Sequence, residues 1–233
     1  MSGASSEHNQ NRRAAMLDKI RTGISDGGTV AVRRPAVEAR LKAQPPHLIP
    51  ERAKRDTAGA KAQLTEFLKG QTATVLDLKS SAEVPSAIAA YLRNINLPLR
   101  LRTGDDPRLA ALPWSKEPAL SLDRGQAQPG DHVSLTHAVA AVAETGTLVL
   151  QSGADNPVTL NFLPENHIVV VRAKDIVGAY EAAFDAVRQR LGKGTMPRTL
   201  NLISGPSRTA DIGGRLVVGA HGPRRLCVVI VND

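Results

Sequence analysis

Four short apolar runs decide most of what this chain can fold into. Residues 147–150, 167–171, 199–203 and 226–231 are each four to six residues long and show no regular polar alternation. That pattern marks strands buried on both faces, which need cover above and below. Amphipathic stretches supply the cover, and helices are expected over 56–70, 82–94 and 174–191, with further strands over 72–78 and 99–103. A strand end running into an alanine-rich helix is expected over 134–144, and a short edge strand over 216–218. Alternation of strand and helix argues for parallel βαβ units, so the expected fold is α/β, a three-layer α/β/α domain over residues 56–233.

Residues 1–55 read as a basic extension. Residues 1–11 are small and polar and are expected to be disordered. Ala15, Met16, Leu17 and Ile20 recur at helical spacing, which predicts an amphipathic helix over 12–21 that ends at Gly23. Gly27, Gly28, Pro35, Pro45, Pro46 and Pro50 then predict an irregular connector with one short helix over 37–42.

The charge is uneven. The chain carries a formal net charge of +8, and residues 1–70 hold 13 Lys/Arg against 7 Asp/Glu. A basic arm can bind nucleic acid through phosphates. The six aromatics, Phe67, Tyr91, Trp114, Phe162, Tyr180 and Phe184, are scattered rather than gathered into a base-stacking platform. A solvated basic face or a docking surface for an acidic protein is therefore the favoured reading, and a nucleic-acid binder ranks last. No apolar run is long enough to span a bilayer and the N-terminus lacks a signal-peptide core, which places the chain in the cytoplasm. The single cysteine, Cys227, rules out internal disulfides and an all-cysteine iron–sulfur site within this chain. His47, His132 and His167 stand apart from any carboxylate cluster with ligand spacing, so no metal site is expected.

Three polar constellations could carry chemistry. The first is Ser204-Gly205-Pro206-Ser207-Arg208-Thr209-Ala210-Asp211-Ile212, followed by His221-Gly222-Pro223. Glycine and proline bend the chain behind an apolar run, and Ser207 or Thr209 could cap a short helix through Asp211, so that amides, hydroxyls and Arg208 converge on an anion. His221 could carry a proton or fix the loop. The second is Glu144-Thr145-Gly146-Thr147, with Thr136 and His137 before it. Glu144 could act as acid, base or nucleophile if buried, or could simply bond nearby amides. The third is the turn Gln151-Ser152-Gly153-Ala154-Asp155-Asn156-Pro157, with Asn161 and Pro164 beyond it, in which Ser152 and Gly153 could orient a ligand or merely close a loop.

The string from Thr136 through Glu144-Thr145-Gly146-Thr147-Leu148, then Leu163-Pro164-Glu165-Asn166-His167, then the Ser204 run and His221-Gly222-Pro223, resembles the lactate utilization protein C family, also called the LUD domain. The resemblance covers roughly residues 70–231. It implies the fold type shared by glucosamine-6-phosphate deaminase, ribose-5-phosphate isomerase and coenzyme A transferases. It also implies a place in a three-protein system oxidising L-lactate to pyruvate, alongside lactate utilization proteins A and B, one cysteine-rich and one an iron–sulfur protein. Clusters are then expected in the partners and no cofactor in this chain. Where the family often carries a basic residue before its Leu-Pro-x-x-His segment, this chain has Asp155-Asn156-Pro157-Val158-Thr159-Leu160-Asn161.

Two main functions follow as expectations. One is a subunit or accessory protein of that system, with a pocket at strand carboxyl ends for lactate, pyruvate or a phosphate compound, built from Thr145, Gly146, Thr147, Ser152, Gly153, Ser204, Gly205, Ser207, Arg208, Thr209, Asp211 and His221. The alternative is an independent enzyme of the transferase or isomerase type using Glu144, with His221 as a second candidate catalytic group. Fold alone does not choose between them.

Overall fold

In a computed structural model, residues 3–25, 29–43, 48–192, 194–210 and 213–233 are described. The chain divides into two compact units, Met1–Leu48 and Ile49–Asp233. In the first unit two helices, α1 (Gly3–Ser25) and α2 (Val30–Ala43), replace the expected disorder and most of the expected irregular connector. Pro35 lies inside α2. A proline there removes a single backbone bond, and the Ala, Arg, Glu, Leu and Lys around it are good helix formers.

The second unit is built on a six-stranded parallel sheet with the order β1-β12-β7-β4-β2-β3. Its strands are β1 (Thr74–Leu78), β2 (Arg100–Thr103), β3 (Ser121–Arg124), β4 (Val133–His137), β7 (Asn166–Arg172) and β12 (Arg225–Val231). The expected apolar runs at 167–171 and 226–231 are the central pair β7 and β12, in register from Asn166 opposite Arg225 to Arg172 opposite Val231. One face packs on α4 (Val84–Asn94) and α5 (Pro107–Ala110), with Ile168, Val170 and Val229 meeting Val84, Ile88, Leu92 and Leu109.

The other face meets α3 (Thr57–Gly70) and a second sheet, which periodicity did not foretell. That sheet has the order β8-β5-β6-β9 and comprises β5 (Ala140–Val142), β6 (Thr147–Gln151), β8 (Ile176–Val177) and β9 (Leu200–Ile203). Val169, Val171, Val228 and Ile230 of the parallel sheet pack with Leu64 and Leu68 of α3 and with Leu148 and Leu150 of β6. The outer face of the second sheet, with Val142 and Val149, is covered by Ala183 and Val187 of α6 (Tyr180–Leu191). The α/β fold with a helix-flanked parallel sheet is therefore as expected, with a small sheet added to one cover.

Three local expectations are corrected. The alanine-rich stretch after β4 is strand β5, not helix, because Ala140 to Val142 pair with Val149 to Thr147 across a tight turn. The last long helix starts at Tyr180 rather than at 174, because Ile176 and Val177 are taken up as β8 beside Ala141 and Val142. Arg208–Thr209 form β10, antiparallel to β11 (Val217–Val218), rather than the start of a capped helix.

The segment before α3 belongs to the α/β unit. Asp56 caps α3 by accepting the Gly59 N–H at 2.8 Å, and Ala53 is buried. A methyl group at Gly178 would lie 1.8 Å from the Ala53 carbonyl oxygen. Backbone on backbone leaves no side chain to swing away, so Gly178→Ala is expected to cost about 2–3 kcal/mol by overpacking. Urea unfolding of the variant checks this through a lower midpoint at unchanged slope.

Candidate functional site

The Ser204 run and the His221 turn come together. Ser207 donates its N–H to the Pro223 carbonyl at 2.8 Å, its carbonyl accepts the Gly219 N–H at 2.9 Å, and its hydroxyl accepts the His221 N–H at 3.4 Å. Gly205 adopts φ +144°, and a side chain there would meet the Gln71 Cβ at 2.8 Å, so the close approach of this loop to the end of α3 needs glycine. Arg208 reaches the same helix end, its Nη2 donating to Thr72 Oγ1 at 2.6 Å and to the Gln71 carbonyl at 3.1 Å. A cation there also meets the negative end of the helix dipole.

These segments roof a cavity of about 260 Å³ lined by Asn161, His167, Ser204, Ser207, Arg208 and His221 among others. Ser204 follows the carboxyl end of β9, as expected, but β9 belongs to the small sheet. Toward the parallel sheet the cavity meets the amino ends of β7 and β12, through His167 and Leu226.

Its inner wall is polar and unsatisfied. His167 is 1% exposed, and its Nε2 lies 2.7 Å from the Thr136 hydroxyl, while Nδ1 has no partner. Burial pushes its pKa down to about 3, so the ring is neutral at pH 7. Asn161 is fully buried, and neither its amide oxygen nor its amide nitrogen is hydrogen-bonded. Such groups cost roughly 1–3 kcal/mol each when left unpaired, and they persist where a ligand or water completes them.

The Glu144 constellation lies beside this cavity and divides into two parts. Thr145, Thr147, Tyr180 and Ser204 form a closed hydroxyl cluster: Thr145 to Thr147 2.7 Å, Thr147 to Tyr180 2.9 Å, Thr145 to Tyr180 3.0 Å and Thr147 to Ser204 2.6 Å. Ser204 alone of these hydroxyls also lines the cavity. Gly146 has φ +65° and sits where a Cβ would strike Phe67 at 2.6 Å. Glu144 is not among the cavity's lining. Its carboxylate pairs with Arg52 at 2.7 Å, and its N–H donates to the Gly178 carbonyl. Arg52 is two-thirds exposed but Glu144 is only 9% exposed, so Arg52→Gln leaves a nearly buried carboxylate without its partner and is expected to cost about 1–3 kcal/mol. Chemical denaturation of the variant measures it, and affinity for any ligand of the cavity should not change.

The Ser152 turn is elsewhere. Ser152 Oγ accepts the Thr199 N–H at 2.9 Å, and Asn156 donates to the Gln151 carbonyl at 3.1 Å. Gly104 packs so closely that a Cβ would lie 2.1 Å from the Asp155 carbonyl oxygen, and neither Ser152 nor Gly153 lines the cavity. Thr209 stands in β10 opposite Val217, while Asp211 and His47 fall outside the described residues. Among the described residues no three His, Cys, Asp or Glu cluster as a metal site, and no helix is long and apolar enough to cross a membrane. The expected site residues therefore assemble in part, and Asn161 and His167 complete them. The signal for His167 was a polar side chain heading a run of four apolar residues.

Comparison with known proteins agrees with this frame. The LUD domain family model matches residues 59–231. The chain is similar to lactate utilization protein C of Deinococcus radiodurans, 37% identical over 66% of this chain and 71% of that protein. It is also similar to lactate utilization protein C of Shouchella clausii, 37% identical over 46% of this chain and 47% of that protein, and of Bacillus subtilis, 39% identical over 44% and 43%. The match thus spans less than half the length of these last two relatives. A crystal structure of a DUF162 family protein from Deinococcus radiodurans superposes with a TM-score of 0.58 at 26% identity, covering 76% of this chain and 99% of that one.

Proposed function

We propose that this chain, which belongs to the LUD domain family, serves lactate utilization as a subunit or accessory protein of an iron–sulfur-dependent system that oxidises L-lactate to pyruvate in the cytoplasm. Its cavity between the Ser204 and His221 turns would hold the small anion of that reaction. The relatives' names support the first part. The second rests on one observation: Asn161 Oδ1 and Nδ2 and His167 Nδ1 are buried without partners on the wall of a cavity that also presents Ser204, Ser207 and Arg208.

The chemistry of lactate and pyruvate suits that donor set. A carboxylate accepts from hydroxyls and from a guanidinium by charge-assisted bonds. An amide and a neutral imidazole can each donate or accept, so they can take the neighbouring hydroxyl or keto oxygen. Cys227 is buried with its thiol pushed up to about 12, and a single thiol cannot hold an all-cysteine cluster. Electron carriers are therefore assigned to the partner proteins A and B. The transferase-type alternative has less support, since Glu144 is engaged with Arg52 and does not line the cavity.

Reconstitution tests the proposal. The purified chain is mixed with its cysteine-rich and iron–sulfur partners, and lactate-dependent dye reduction is followed. The expected result is a rate that falls when this chain is left out and falls again when Asn161 is substituted. An unchanged rate on omission overturns the subunit reading.

A further inference from the structure

A second cavity, of about 340 Å³, opens at the carboxyl edge of the parallel sheet, where β4, β7 and β12 end in His137, Arg172 and Val231. It lies at the other end of these strands from the cavity above. We propose that it is a binding site for a phosphate-bearing ligand, gripped by Arg108, Arg172 and Lys174.

Three elements each bring one cation: Arg108 from α5, Arg172 from the end of β7 and Lys174 from the turn after it. The two arginines are held in place from behind. Asp106, 1% exposed, accepts from Arg108 Nη2 at 2.6 Å and from Nε at 2.9 Å. Asp175 accepts from Arg172 Nε at 2.7 Å. These bonds leave Arg108 Nη1, both terminal nitrogens of Arg172 and the Lys174 ammonium without a protein acceptor among the described residues. Asp106, Asp175 and Asp233 match the three cations in number, so the grip on an anion comes from these unengaged N–H donors and not from net charge. Burial holds the His137 pKa down to about 4, and the nearby Arg108 acts in the same direction more strongly than Asp106 opposes it, with Arg172 adding to the effect. Asp233, also in the lining, accepts from the Ser81 N–H and from the Ser81 and Ser80 hydroxyls, which hold its carboxyl below the usual range and leave it ionised, turned onto these donors.

The number of donors favours phosphate over carboxylate. One carboxylate is saturated by a single guanidinium fork, whereas a phosphate group offers up to two charges and three terminal oxygens to cations arriving from three directions. His137 adds a complementary acceptor. Its Nδ1 lies 2.7 Å from the Ala138 carbonyl, which can only accept, so Nδ1 carries the proton and Nε2 of the neutral ring holds a lone pair for a ligand hydroxyl. The remaining volume leaves room for an organic group beyond the phosphate. The carboxyl edge of an open parallel sheet is also where such folds keep their ligands.

Calorimetric titration with inorganic pyrophosphate at 0.15 M salt tests the site. The expected result is saturable binding of one pyrophosphate per chain, weakened at least tenfold by Arg172→Gln and by Lys174→Gln and unaffected by Asn161→Leu. Arg108→Gln strips buried Asp106 of its partner and destabilises the fold, so Arg172 and Lys174 carry the test. Absence of saturable binding overturns the proposal, as does binding that neither substitution weakens. Binding lost in Asn161→Leu overturns it too, because the anion would then sit in the other cavity.

Discussion

Acidification from pH 7 to pH 4 is expected to remove on the order of 5 kcal/mol of folding stability, with much of the loss arriving before the carboxylates titrate. Two buried histidines are the cause. Burial holds His167 down to about 3, and burial together with Arg108 and Arg172 holds His137 down to about 4. In the unfolded chain both titrate near 6.5. Below that pH the unfolded state binds protons that the folded state refuses, so their contribution is complete above pH 6.5 and is lost as the pH falls toward 4 and then 3. The paired carboxylates Asp77, Asp106 and Asp131 are shifted down as well. Their contribution stays intact until the pH drops below the ordinary carboxylate range near 4, which separates the two effects. Urea midpoints measured every half unit from pH 7.5 to 4.5 should fall steadily. Proton NMR should show two of the six histidines still neutral at pH 5. A flat midpoint over that range refutes the assignment.

The parallel sheet was legible because its central strands are apolar on both faces. Val169, Val170 and Val171 face alternate layers, yet all are buried, and a short run of β-branched residues hidden in this way suits a strand covered on both faces. The second sheet was not legible, and β5 shows why. Alanine favours helix locally, and only the pairing of Ala141 with Leu148 and with Ile176 across the sheet makes it a strand. Leu148 lies just beyond a tight turn, but Ile176 is 35 residues away, so the alanine stretch itself does not contain the reason. The candidate site divides in the same way. Turn chemistry marked Ser204 to Arg208 and His221 to Pro223 in advance, and the structure stitches these two segments at Ser207. Asn161 was grouped with the Ser152 turn rather than with the Ser204 run, because nothing local in the sequence brings it to His167 on the wall of one cavity. Glu144 was given a chemical role only on the condition of burial; it is buried, and its partner Arg52 lies 92 residues earlier in a segment without periodicity.

Asn161→Leu is expected to abolish binding of a small carboxylate in the Ser204 cavity while making the protein more stable. The two effects have one source. Asn161 is fully buried with both amide atoms unpaired, and leucine, with the same branching and number of side-chain heavy atoms, removes that desolvation penalty and can place its extra bulk in the adjoining cavity, for a gain of about 1–3 kcal/mol. The same change deletes a donor and an acceptor from the wall of a cavity that Arg208 and Ser207 also line. A site built to hydrogen-bond a hydroxyl or keto oxygen loses at least about 100-fold in affinity when that partner is gone, roughly 3 kcal/mol. Thermal unfolding and titration with pyruvate, run on the same samples, measure both numbers. A ligand-binding residue shows the opposed pair, a higher melting temperature with lost affinity. A residue that only supports the fold shows the reverse, a lower melting temperature with affinity retained, and that outcome would remove Asn161 from the site. Thr136→Val supplies the companion measurement, since it takes the hydroxyl partner from His167 Nε2 without touching Asn161. It is expected to destabilise, because a second polar atom is then buried alone, and to weaken pyruvate binding less than Asn161→Leu does. The contrast assigns the unpaired amide to the ligand and the paired hydroxyl to the scaffold that holds the imidazole in place.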